Sequence, residues 1–225
     1  AGENIFVQSD DKCIDKCKSL KARADANEAF GAELKKGKKA DAQRGYEIAC
    51  KEWMDVRSFG QVFAFKGSEL SLGIRGPVSV QPAFSVDPID ITSMQITKSV
   101  NSEDKEGKSS DTMGMKHRVD FGVYILKGSI NVQLSEKTGF TEEDAEKIKE
   151  AIRTLFVNDS SSARPDGSMV MHKLYWWKHN CKIGQYSSHK VHNSIEIKKK
   201  EGVRNPRKIE DYEIICHELP GLAVE

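Results

Sequence analysis

Nowhere in the 225 residues does an apolar run approach the roughly 18 needed to cross a bilayer. The opening AGENIFVQSDDK has neither a basic leader nor a long apolar core, so the chain reads as soluble and cytoplasmic. A charge bias is also missing: 35 Lys and Arg against 34 Asp and Glu leave a net charge of +1. The total therefore demands no polyanionic partner, and any such partner must be met by local asymmetry. Cysteines are few and odd in number, five at irregular spacings, which argues against a disulfide framework and supplies neither a zinc ribbon nor a redox pair. His179, Cys181, His189 and His192 do not have the spacing of a common closed zinc site. Asp87, Asp90, Asp104 and Asp111 are spread over loops rather than gathered as nuclease ligands. With no nucleophile elbow, phosphate-binding loop or dinucleotide fingerprint, nothing calls for an enzyme, a cofactor or a metal.

What is present is a pattern of short elements in one substantial domain. Residues 18–40 are charged and poor in large apolar side chains, which suggests a solvated helix or loose connector. Ala42, Tyr46, Ala49, Trp53 and Met54 recur at helical spacing and predict an amphipathic helix ending near Asp55. The segment 56–84 is rich in β-branched and aromatic residues around the break Lys66-Gly67-Ser68 and predicts a hairpin, with Gly60, Gly73 and Gly76 marking bulges or close backbone approaches. A strand over ITSMQITKSV is followed by NSEDKEGKSSDT, which has no apolar period and reads as a solvated loop.

Ile130, Val132 and Leu134 alternate with polar residues in FGVYILKGSINVQLSEK and predict a half-buried strand. Thr141 and Asp144 form the signature of a helix N-terminus, with Ile148, Ile152, Leu155 and Phe156 on one stripe. MVMHKLYWWKH predicts a strand with large side chains on both faces, and HNSIEIK and YEIICHE predict two more around the basic turn KKKEGVRNPRK. With one strand upstream, the order becomes β-α-β-β-α-β, the ferredoxin-like arrangement of RNA-recognition modules.

Several cations sit beside small residues, where a phosphate could meet backbone N–H groups and a guanidinium together. Arg57 lies beside Ser58 and Gly60, Arg75 precedes Gly76-Pro77, and Lys116, His117 and Arg118 precede a strand. The same residues also fit ordinary surface charges at strand ends. Ser160, Ser161, Ser162 and Arg164 offer donors for a phosphodiester, or simply a capped polar turn. Met113 and Met115 flank Gly114, as soft wedges between bases or as plugs at a core edge.

The ordered set DVRSFG, IRGPVSVQPAFSVDP, ITKSVNSE, TMGMKHRVDFGVY, TGFTEEDAEKI and LFVNDSSSARPDGSM, spanning about Gly45 to His179, resembles the backbone subunit of the CRISPR type I Cascade complex, of the I-C or an allied kind, in the RAMP superfamily. The resemblance implies an α+β fold, a modified ferredoxin-like or RNA-recognition-motif palm with an inserted thumb hairpin. Residues 1–225 would form a single palm domain with insertions. The thumb would span 92–118, with palm at 41–91 and 119–180 and the C-terminal strands and basic turn at 181–225.

Members of the family open with a first palm strand that is not visible in this sequence. A sheet lacking that central strand would expose two edges. The resemblance further implies a non-catalytic subunit that polymerises on guide RNA (crRNA) with further copies of itself and other Cascade subunits. Target DNA would be recognised by pairing with that RNA. Candidate RNA contacts are Arg57, Ser58, Arg75, Gln81, Lys98, Met113, Met115, Lys116, His117, Arg118, Ser161, Ser162 and Arg164.

Two other functions compete. An endoribonuclease of the same superfamily would cut target RNA with a thumb aspartate, for which Asp104 and Asp111 are the candidates. A ferredoxin-like scaffold without nucleic acid would owe its motif match to coincidence.

Overall fold

The computed structural model describes residues 2–100 and 113–225. The chain divides into two compact units, the first comprising Ala1–Val80, Gly128–Ser188 and Leu219–Glu225, the second Gln81–Lys127 and His189–Glu218. The fold is mixed α+β, and its sheets are small and antiparallel.

In the first unit, α1 (Leu20–Ala26) and α2 (Glu28–Leu34) precede α3 (Ala42–Glu52) and α4 (Met54–Phe59). Residues 18–40 are therefore not a loose connector. Phe30 and Ala24 are fully buried, and Asn27 caps α2 by accepting from Phe30 N. Ala24, Phe30 and Leu34 turn into the core while Leu20 stays exposed, a division that average composition hides. Phe6, Phe30, Trp53 and Phe63 form the aromatic centre of the core, with Phe6 and Trp53 rings 4.7 Å apart and Phe30 and Phe63 rings 4.8 Å apart. Asp41 caps α3 through the N–H groups of Gln43 and Arg44. The predicted single helix breaks at Trp53, whose extended backbone starts α4. Arg57 and Ser58 therefore lie in a helix, not at the start of a strand.

β1 (Gly60–Ala64) and β2 (Ser71–Arg75) form the expected hairpin, with Gly60 opposite Arg75. Gly60 and Gly76 are required there, whereas a Cβ at Gly73 would meet open space. Gly60 has φ +85°, and a Cβ at Gly76 would lie 2.3 Å from the Ser58 carbonyl oxygen. β3 (Val78–Val80) pairs with β8 (Gly128–Ile130).

The alternation over 130–134 does not continue as a strand. Asn131 accepts from Leu134 N and starts α5 (Val132–Thr138), which ends at Gly139 in the left-handed region. α6 (Glu142–Arg153) begins with the expected capping box between Thr141 and Asp144 and packs Ile148 against Met54, Val78 and Phe140. Residues 169–176 belong to no strand among the described residues; Trp176 exchanges backbone hydrogen bonds with Glu225, and Trp177 makes an isolated bridge to Val224.

In the second unit, β4 (Phe84–Ser85) pairs with β7 (Tyr124–Ile125), β5 (Ile91–Thr97) with β6 (Met113–Val119), and β9 (Ile195–Lys199) with β10 (Tyr212–Cys216). Tyr212 is buried, and its hydroxyl donates to Asp87 Oδ2 at 2.8 Å. Lys199 lies 3.1 Å from Asp87 Oδ1. Burial, then the Asp87 carboxylate, push the Tyr212 phenol up to about 12. Among the described residues no helix is long and apolar enough to cross a membrane.

Candidate nucleic-acid interface

The densest group of predicted site residues lies on the β5–β6 hairpin. Ile91 stands opposite Val119, Ser93 opposite His117, Gln95 opposite Met115 and Thr97 opposite Met113. Cross-strand partners share a face, and successive residues alternate. One face therefore carries Met113, Met115 and His117 with Ser93 and Gln95. The other carries Lys116 and Arg118 with Thr92, Met94 and Ile96. Lys116, His117 and Arg118 thus lie within a strand, and the methionines and the two permanent cations do not form one cluster.

Side-chain contacts follow the same division. Ser93 Oγ and His117 Nδ1 lie 2.8 Å apart, and Gln95 touches the Met113 sulfur. On the other face Arg118 Nε donates to Asp120 Oδ1 at 2.9 Å. The Thr92 hydroxyl, then Arg118, hold the Asp120 carboxyl below the ordinary range. Among the described residues Lys116 has no carboxylate partner. Every described residue of β6 is exposed, Met113 and Met115 by 64% and 57%. Such a ribbon has little core of its own.

Gln81 is also in the second unit, exposed, with its N–H donating to Lys127 O at 2.8 Å. Lys98 follows β5 and is half-buried. Asp104 and Asp111, the candidates for a cleaving aspartate, lie outside the described residues, as does the whole of the predicted loop NSEDKEGKSSDT.

The first unit holds the remaining candidates in three places. Arg57 meets the Asp144 carboxylate with both prongs, Nη2 to Oδ1 at 2.7 Å and Nε to Oδ2 at 2.9 Å, and its Nη2 also reaches Glu3 at 3.1 Å. The Arg57 and Asp144 side chains are 13% and 3% exposed. Burial raises the Asp144 carboxyl, but the Arg57 and Thr141 bonds outweigh it and leave the group below its ordinary value. Ser58 is fully buried, and its hydroxyl has no partner among the described residues. Arg57 thus ties α4 to Asp144 at the start of α6, and Ser58 is enclosed beside it. Arg75 is exposed at the end of β2.

The third place is a turn after α6, closed by Ser161 N to Arg164 O at 2.7 Å and by Arg164 N to Ser161 Oγ at 3.1 Å. Ser161, Ser162 and Arg164 are exposed there. Asp159 lies between two cations: Arg164 Nε at 3.2 Å and Lys12 Nζ at 2.7 Å. The Lys12 bond is the largest influence holding the Asp159 carboxyl low. Lys12 was invisible to sequence reasoning because 147 positions separate it from its partner and its surroundings carry no motif.

Exposed cations, hydroxyls and N–H groups can hold phosphate without reading bases, and exposed thioethers can lie against base faces. Among the described residues no group of three His, Cys, Asp or Glu side chains is placed to share a metal ion. His179 accepts from Gln185 N at 3.0 Å, and His189 pairs with Asn193. Cys50 is buried, which pushes its thiol up to about 11.

No curated protein matches the chain. A family model does, over residues 1–217, and the chain belongs to that family, described as CRISPR-associated protein Cas7, in the RAMP superfamily.

Proposed function

We propose that this chain is the non-catalytic backbone subunit of a type I, I-C-like Cascade complex, holding guide RNA in the cytoplasm by its phosphates and lining up with further copies and other Cascade subunits along it. Family membership makes it a CRISPR-associated RNA-binding effector subunit. The observation that carries the finer reading is the β5–β6 hairpin, assigned here as the thumb. It exposes Met113 and Met115 on one face and Lys116, beside Met94 and Ile96, on the other. Exposed apolar surface of this kind marks an interaction site, and its charged face suits a backbone held regardless of sequence. Target DNA would then be recognised by pairing with the held RNA.

The test is binding of the purified protein to guide RNA and to a scrambled RNA of equal length over a salt series. Equal affinities that fall steeply with salt are expected. Stringent sequence preference with little salt dependence would contradict the reading.

A further inference from the structure

A second surface, in the first unit, carries a chemistry that the hairpin does not. The run His172-Lys173-Leu174-Tyr175-Trp176-Trp177-Lys178 lies outside any helix, and its contacts alternate along the chain, Tyr175 meeting Lys173 and Trp177 while Trp176 meets Lys149. Trp176 takes one side. There the Lys149 ammonium from α6 lies 5.7 Å over the Trp176 ring and is itself held by Glu225. That side is already occupied and its cation compensated.

Lys173, Tyr175 and Trp177 take the other side. The Tyr175 and Trp177 rings stack with centroids 6.1 Å apart and planes 19° from parallel, both half-buried rather than enclosed. The Lys173 ammonium sits 4.9 Å over Tyr175. Lys178 is paired with Glu142, whereas among the described residues no carboxylate pairs with Lys173. Cation, ring and ring thus follow one another at two-residue intervals, with the cation uncompensated. A surface that needed only burial would require no such charge. A polyanion bearing flat bases supplies both complements, because rings stack on any base and an ammonium follows the adjoining phosphate.

We propose that Lys173, Tyr175 and Trp177 form a base-stacking platform for single-stranded nucleic acid. The nucleobase lies against the two rings, and the Lys173 ammonium turns from Tyr175 to the phosphate. The inference rests on the RNA-binding reading above and adds a contact to the bases where that reading has contacts to the backbone. A protein strand laid along the same stretch would use its main chain and need neither the rings nor the cation.

Titration of the full-length, nucleic-acid-free protein with short oligouridine, oligothymidine and an abasic oligonucleotide of equal length tests it, with tryptophan fluorescence and affinity read together. The base-bearing probes should quench the emission and the abasic one should not. Response to uridine alone assigns RNA as the source of the base, and response to both assigns either strand. Tyr175→Ala should weaken the base-bearing probes by about tenfold and leave the abasic affinity unchanged. Tyr175→Phe, which keeps the ring, should restore binding and controls for folding. Trp177→Phe should keep most of the affinity while losing the quenching. Lys116→Ala on the hairpin should weaken all probes alike and preserve quenching at saturation, so failure of the backbone reading is separable from failure of this one. Equal quenching by the abasic probe, no quenching by any probe, or unchanged affinity in a folded Tyr175→Ala protein would overturn the platform.

Discussion

Met115 and Lys116, neighbours in the chain, stand on opposite faces of the β5–β6 hairpin, Met115 across from Gln95 and Lys116 across from Met94. In MGMKHRVDFG these side chains read as one cluster. An extended backbone divides them into a thioether face and a cationic face, and the two can be changed independently.

Replacing Lys116 with alanine should reduce RNA affinity uniformly across sequences and lower the slope of log affinity against log salt by about 0.7, the value for one phosphate contact on a single strand. Arg118→Ala should do less, because Asp120 already holds that guanidinium. Met113→Ala with Met115→Ala should weaken binding without changing the slope. Filter binding at several salt concentrations checks all three. A slope change in the methionine variant would mean that the faces are not separate in function.

Arg57 joins α4 to the start of α6 through a nearly buried two-pronged pair with Asp144. Arg57→Ala leaves that carboxylate without its partner and should cost about 3 kcal/mol of stability. Urea unfolding measures it, and RNA affinity of the folded fraction should be unchanged. The Asp144 carboxyl is depressed in the folded protein, so its contribution is complete above the unfolded value and disappears as pH falls through the folded one. Stability of the parent should therefore decline on acidification in that range, with a weaker decline in Arg57→Ala.

Tyr212 gives the opposite sign at the other end of the scale. Its phenol is raised to about 12 by burial and then by Asp87, so the folded state favours the neutral form. The associated stability is complete below the unfolded phenol value and is lost as pH rises toward 12. Ultraviolet titration should show a late-ionising phenol, and Asp87→Asn should bring it down.

Parts of the fold were legible because the signal was local. Thr141 with Asp144 marked the start of α6, and Lys66-Gly67-Ser68 marked the β1–β2 turn. Ile130, Val132 and Leu134 misled because Asn131 caps a helix at a point where three alternating apolar residues fit either period. Residues 18–40 misled because two short helices that bury Ala24, Phe30, Gly31 and Leu34 together with the charged Arg23 and Glu33 look solvated on average. The candidate site divided in the same way. Cations beside glycines were visible, but whether a guanidinium faces a phosphate or a distant carboxylate depends on contacts such as Arg57 with Asp144, 87 positions away.

The most direct test of the central claim is the nucleic acid carried by the purified protein. Released RNA should be present in stoichiometric amount, diverse in sequence and dissociated by raised salt, with Lys116→Ala protein carrying less. Protein free of RNA under low salt, or carrying a single sequence that salt does not remove, would contradict a subunit that holds guide RNA by its backbone.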